Sequence, residues 1–393
     1  MRLVNVPAMN LRPGMFVAEL DRPWLETPFS IQGFMVRDDD DVMFVAKYVD
    51  HVLVDADYVG APAYLELLRP KGDVKRAEKL ALKADFEQAK ISFQSAAESL
   101  NAVFSSLHNG HTADMSEVKQ AVRPLIDGVF KNKDAIAALA RLKGSGEYRY
   151  NHSIAMAVWA AILGRHIGLH KVELEKLVVG CAMCDVGMTK LPEEILEQSE
   201  PLSEAQLASV REHPRMGVEL MRESKNVDLE VLMIVESHHE RHDGSGYPAG
   251  LDSASTPLLA RIAGIVDTYD AMISVRPHVQ NRSSYDATQE LIDSKNRLFQ
   301  GALVEQFVQA IGLFPVSVLV ELNNGEVAIV VAQNETRRLK PEVLVVLDDK
   351  KLPKSQFDLL DLAQSGEVGS EARWIARELP PGSYGINSQD FFI

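Results

Sequence analysis

The sequence predicts a mainly α-helical protein with a small α+β or β module at its N-terminal end and a small β appendage at its C-terminal end. Three observations predict it. Apolar residues recur at helical spacing across 116–313, and the turns there carry capping signals. Residues 1–66 instead alternate apolar and polar in short runs broken by turn residues. Residues 314–393 return to a period of two around an Asn-Gly turn.

In the first segment Met15–Ala18, Gly33–Val36, Val42–Val45 and His51–Val54 read as short strands, with turns at Arg12–Gly14 and Asp38–Asp41. From 67 to 115 the pattern becomes a connecting helix, with Phe86, Ile91, Phe93 and Leu100 at helical spacing; such a helix also suits a homodimer contact. Within 116–313, Ser203 with Gln206 forms a capping box, and Asp286 with Gln289 is read the same way. Gly168 and Gly312 sit where helices should stop. In the last segment two strands flank Asn323-Asn324-Gly325, and Val343–Leu347 reads as a third.

The 393 residues suffice for two or three domains at roughly 100–200 residues each. A net charge of −15 disfavours non-specific DNA or RNA binding, because such a surface repels polyphosphate backbones. A small anion in a locally cationic pocket remains compatible. Ile154–Leu163, the most apolar helical stretch, falls short of the ~20 residues that span a bilayer. No signal peptide is recognised, so the reading is a cytoplasmic protein without membrane insertion. The two cysteines, Cys181 and Cys184, make no disulfide framework.

The densest polar constellation is His238-His239-Glu240-Arg241-His242-Asp243-Gly244-Ser245-Gly246-Tyr247-Pro248, following the apolar helix that holds Val231 and Val235. Imidazoles suit transition metals, and neighbours on a helix point about 100° apart. His238 and His239 are therefore expected to serve two ions, or one of them to support the other. The glycines allow close approach of backbone to a ligand, and Tyr247 offers a ring that stacks.

This segment resembles, without a mismatch, the HHExxDGxGYP signature of the HD-GYP family, whose members belong to the HD superfamily and hydrolyse cyclic di-GMP. The likeness is specific over 145–280 and looser along the rest; Leu11–Met15 through Asp21–Trp24 looks like the small domain often found before HD-GYP in proteobacterial proteins. The resemblance implies an all-helical HD-type domain over 116–313 that holds divalent metal, two ions at most because Tyr148 stands where three-metal members have a carboxylate. It implies metal ligands at His152, Asp185, His213, His238, His239 and Asp267, with Asp185 bridging, and Fe or Mn ahead of Zn. Asp185 and His213 are the expected catalytic pair; Tyr247, Gly246, Asp270 and Arg276 are the expected substrate contacts. Products would be pGpG or GMP, and GGDEF-domain proteins are the expected protein partners.

The sequence departs from the pattern at Cys184, in place of the histidine of the HD dyad, at Met188, in place of a lysine, and at Val279, in place of a basic residue. A thiolate also ligates Fe or Zn, so Cys184 is a seventh candidate ligand. The competing reading is a degenerate member that binds cyclic di-GMP or a GGDEF-type partner without hydrolysis. His166 and His170, spaced like a zinc helix, are discounted because the matched pattern does not use them.

Overall fold

The structure, a computed structural model, describes residues 3–22, 34–36, 39–55, 74–141, 148–196, 198, 200–274, 282–334, 337, 339–365 and 372–391. Its contacts divide the chain into one compact unit of 1–80 with 163–174 and another of 81–162 with 175–393.

In the first unit β1 (Leu3–Pro7), β2 (Phe16–Leu20), β3 (Phe34–Met35) and β4 (His51–Asp55) form an antiparallel sheet in the order β1-β4-β2-β3. Val42–Val45, expected as a strand with Asp38–Asp41 as its turn, instead lies in helix α1 (Asp39–Ala46). The reason is local. Val42 and Val45 are buried while Met43 and Phe44 are exposed, which is the i, i+3 stripe of a helix. Both valines pack into a core with Ala8, Leu11, Val17, Val36, Val49, Val52 and Val54.

In the second unit α2 (Val74–His108) is followed by α3 (Met115–Arg141), α4 (Tyr148–His166), α5 (Lys171–Met183), α6 (Glu193–Leu196), α7 (Glu204–Arg211), α8 (His213–Arg222), α9 (Leu229–Ser237), α10 (Leu258–Ile273), α11 (Ser284–Asp293) and α12 (Gly301–Ile311); the first turns of α2 and the end of α4 through the start of α5 belong to the first unit. Residues 154–163 of α4 are all buried, so this helix is apolar on every side because it runs through the core. Among the described residues no helix is long and apolar enough to cross a membrane. α7 opens on the expected Ser203–Gln206 capping box. The cap of α11 lies one turn earlier than expected: Ser283 accepts from the Asp286 backbone N–H. Gly312, with φ of 78°, ends α12, and Gly168, with φ of 75°, follows α4.

The C-terminal strands β5 (Leu319–Leu322), β6 (Val327–Ala332), β7 (Glu342–Leu347), β8 (Pro353–Asp361) and β9 (Ile375–Leu379) form an antiparallel sheet in the order β8-β7-β6-β5-β9. The Asn323–Gly325 turn joins β5 to β6 with Leu319 opposite Ile329. β9 inserts Glu378 beneath α11, where its carboxylate accepts from the backbone N–H groups of Ser284 and Tyr285 at 3.0 Å each. β9 and β8 were not anticipated.

Candidate metal centre

Four joints of the helical fold converge. His152 lies in the second turn of α4 and is buried. Asp185 stands just past α5, where it precedes a single 3₁₀ turn over Val186–Lys190. His213 opens α8, with Pro214 next to it at the position where a missing N–H costs nothing. Gly187 holds these two joints together: a Cβ there would lie 1.9 Å from the His213 carbonyl oxygen and 2.6 Å from the Gly217 nitrogen. His238 caps the C-terminal end of α9, and His239 follows it. Asp267 and Asp270, three apart on α10, share a buried face.

The resulting cluster has a definite chemistry. One donor atom from each of Asp185, His213, His238 and His239 lies within 4.8 Å of all the others. α9 ends at Ser237, and the rings of His238 and His239 that follow it have centroids 4.1 Å apart. His213 Nδ1 lies 2.8 Å from the Val210 carbonyl, and His238 Nδ1 lies 2.8 Å from the Val235 carbonyl. A carbonyl only accepts, so each Nδ1 carries a proton and each ring turns Nε2 outward. Those two Nε2 atoms face each other at 3.3 Å, and His213 Nε2 is also 3.3 Å from Asp185 Oδ1. Two imidazole nitrogens and a carboxylate oxygen gathered this closely make a set of donors for a cation. The donor set therefore fits a divalent metal.

The other oxygen of Asp185 faces a second group: Oδ2 is 3.7 Å from His152 Nε2, which is 3.1 Å from Asp267 Oδ1. Asp267 Oδ2 is 3.5 Å from His239 Nδ1. Asp185 thus links two sets of donors. Burial pushes the His152 pKa down, but hydrogen bonds to Asp267 and Asp270 and the charges of Asp270 and Asp185 carry it up to about 9. Burial and the neighbouring His213 lower His238 to about 4. Burial, and then His238, also lower His239. Burial would raise Asp267, but the neighbouring His239 and the hydrogen bond to His152 outweigh it and hold its carboxyl well below the usual range.

Asp270 is fully buried behind His152: its Oδ2 is 2.7 Å from His152 Nδ1 and accepts from the Ser274 hydroxyl at 3.0 Å, and its Oδ1 accepts from Trp159 Nε1 at 2.9 Å. It faces the His152 ring. Gly246 makes its close approach to protein: a Cβ would lie 2.4 to 2.5 Å from the backbone of His239, Glu240 and Arg241. Cys184 is buried outside the four-residue cluster, and burial, with Cys181 hydrogen-bonded beside it, pushes its thiol up. Tyr247 stacks on His239 with ring centroids 4.6 Å apart. Arg276 and Val279 lie outside the described residues.

Sequence reasoning passed over Glu240. Its carboxylate is buried and accepts from the backbone N–H groups of Ala249 at 2.7 Å and Leu251 at 2.8 Å, which folds the Gly-Tyr-Pro loop back over the histidine turn. Its signal was its place inside the signature. Trp159 carried no signal beyond an apolar helix.

Residues 129–303 match the family model described as an HD domain, and residues 3–118 match a domain of unknown function, DUF3391. The chain is 29% identical to the cyclic di-GMP phosphodiesterase PA4108 of Pseudomonas aeruginosa, over 93% of this chain and 90% of that protein. It is 31% identical to the cyclic di-GMP phosphodiesterase response regulator RpfG of Xanthomonas campestris, over 52% of each. It is 29% identical to the 3'3'-cGAMP-specific phosphodiesterase 2 of Vibrio cholerae, over 46% of this chain and 34% of that protein. The full Gly-Tyr-Pro signature falls inside the match, so the chain carries an HD domain over residues 129–303.

Proposed function

We propose that this chain is a metal-dependent phosphodiesterase that hydrolyses cyclic di-GMP to pGpG or GMP. The observation that carries the reading is the pair of imidazoles whose Nδ1 atoms are tied to backbone carbonyls and whose Nε2 atoms turn together on Asp185. In this reading His213, His238 and His239 hold one cation, His152 and Asp267 hold a second, and Asp185 reaches both. Imidazole and carboxylate donors together suit Fe or Mn, with Zn also accommodated. Such cations supply Lewis acidity to a phosphodiester and acidity to a water.

The protein's own groups do the rest. Asp270 fixes the ring of His152 through Nδ1, so that Nε2 points toward Asp267 and Asp185 and would become a donor once a cation displaced its proton. Asp185 and His213 line the place where the scissile phosphate sits. Tyr247, stacked on His239, and the nearby glycine loop shape the pocket for a guanine nucleotide. Cyclic di-GMP as ligand, GGDEF-domain proteins as partners of the Gly-Tyr-Pro loop, dimerisation through α2 and a cytoplasmic setting belong to the same reading, as does the division into an N-terminal module, a connecting helix, a helical HD domain and a β appendage.

Two residues favour a second reading, a binder without turnover: Cys184, buried as a thiol, and the uncharged Met188 on the 3₁₀ turn after Asp185. One experiment separates the two. Metal content is measured on purified protein, and the same sample is incubated with cyclic di-GMP, 3'3'-cGAMP and cyclic di-AMP. Release of pGpG or GMP from cyclic di-GMP, lost in Asp185→Asn, supports the phosphodiesterase. Tight binding of intact cyclic di-GMP by metal-loaded protein supports the binder, and no interaction with any of the three sinks both.

A further inference from the structure

Three arginines touch the Tyr247 loop or the histidine turn, and two are committed. Arg215 pairs with the Glu212 carboxylate at 3.1 Å and donates to the Pro248 carbonyl at 2.9 Å. Arg241 folds inward, donating to the carbonyls of His238 and Glu240 at 3.2 Å each with its guanidinium over Phe299. Arg211 is different. It ends α7, two residues before His213, and its side chain is exposed. Its Cζ lies 5.7 Å from the centroid of the Tyr247 ring, and among the described residues no carboxylate or carbonyl accepts from it. Tyr247 in turn stacks on His239, which belongs to the donor cluster.

A guanidinium held over an aromatic ring, with its N–H groups unspent, is arranged for a planar anionic acceptor. The surroundings make that acceptor a phosphate. Asp185 and Asp267 put negative charge at the floor of the site, so a cyclic dinucleotide with two phosphodiesters, one over the metal-binding donors, needs a cation at the rim for the other.

We propose that Arg211 is a substrate-binding residue that holds the non-reacting phosphate of the cyclic dinucleotide, with Tyr247 as the platform that aims it. This rests on the phosphodiesterase reading above and adds to it the residue that recognises the second phosphate. A linear substrate with a single phosphodiester, such as bis(p-nitrophenyl) phosphate, has no group for Arg211 to hold.

The test compares wild type, Arg211→Gln, Arg211→Lys and, as a control of net charge alone, Arg222→Gln at the exposed end of α8. Metal content is measured for all four. For cyclic di-GMP, Arg211→Gln is expected to raise KM, or Kd if turnover is absent, by about tenfold to a hundredfold, as loss of a charge-assisted phosphate contact does. Its kcat and metal content stay within about threefold of wild type, because the group touches neither the donors nor the scissile bond. Arg211→Lys recovers part of the loss, Arg222→Gln shows none, and KM for bis(p-nitrophenyl) phosphate is unchanged in all. An unchanged KM for cyclic di-GMP in Arg211→Gln overturns the assignment while leaving the phosphodiesterase standing. An equal loss on bis(p-nitrophenyl) phosphate, or a loss of bound metal, overturns it as well, by showing a structural effect. A wild type that neither binds nor hydrolyses any cyclic dinucleotide overturns the underlying reading, and the assignment with it.

Discussion

His152 shows how much one buried partner decides. An imidazole can offer either nitrogen, and the Asp270 carboxylate at Nδ1 selects which one remains open. Trp159 and Ser274 hold that carboxylate in turn. Replacing Asp270 by Asn leaves the volume unchanged and removes the charge that polarises the ring. The expected outcome is a metal affinity about 10- to 100-fold weaker, the usual cost of losing such a support. Titration of metal-free protein with Mn(II) measures it, and an unaltered affinity would refute the positioning role. Gly246 makes a different kind of demand. A methyl group there meets backbone on the His239–Arg241 turn, and backbone cannot swing aside as a side-chain tip can. Gly246→Ala is expected to cost about 2–4 kcal/mol in chemical unfolding and to displace Tyr247 from His239. A variant with wild-type stability and activity would show that the loop is not clamped there. Both residues were visible in the sequence as members of a site, but not the packing duty each has in the fold. Sequence gives the identity of Asp270 and Gly246; burial behind His152 and contact with a neighbouring turn exist only after α4, α9 and α10 have packed.

At the scale of elements, legibility followed the strength of local chemistry. The Ser203 capping box, the Asn-Gly turn and the helix ends at Gly168 and Gly312 are decided within a few residues, and they stand where the sequence put them. Val42–Val45 misled because four apolar residues in a row fit either period, and only the core that received Val42 and Val45 decided between them. β9 was missed because it pairs with β5, more than fifty residues away, and carries exposed residues at its centre. The C-terminal sheet yields a prediction of its own. Glu326 is buried beside Asn324, Lys354 and Arg373. Burial raises its pKa, but the hydrogen bonds from Asn324 and Lys354 and the charges of Arg373 and Lys354 outweigh it and hold the carboxyl below its usual value. A carboxyl lowered in the folded state contributes stability above its unfolded pKa of 4.5 and loses it as pH falls through the folded value. Glu326→Gln is therefore expected to be about 1–3 kcal/mol less stable than wild type at pH 7, with the gap shrinking as pH falls below 4.5. Taking the difference between the two proteins cancels Glu378, whose pKa burial raises and which acts in the opposite sense. Urea unfolding at pH 7, 5 and 3.5 reads the gap, and a gap independent of pH would exclude an ionised Glu326 as its source.

For the whole molecule, the candidate metal centre is also a structural joint. Its donors come from the start of α4, the end of α5, the start of α8, the end of α9 and the middle of α10, so one cluster ties together chain segments separated by more than a hundred residues. A cation among them would draw at once on the facing Nε2 atoms of His213 and His238 and on the carboxylates of Asp185 and Asp267. Binding to the folded state alone stabilises by RT ln(1 + [L]/Kd), about 2.7 kcal/mol when free metal is a hundredfold above Kd. All of these donors lie in the unit of 81–162 with 175–393, and the unit of 1–80 with 163–174 contains none of them. Removing metal with a chelator is therefore expected to lower the unfolding temperature of the larger unit by roughly 3–10 °C, since about 1 kcal/mol moves a large domain by a few degrees. Re-addition of Mn(II) should restore it. Calorimetry of the metal-loaded and chelated protein makes the comparison, with His238→Ala as a check: this variant should melt at one temperature whether or not metal is present. Metal-loaded wild type that melts unchanged after stripping would mean that the histidines meet for packing alone, and the centre would lose its claim to hold an ion.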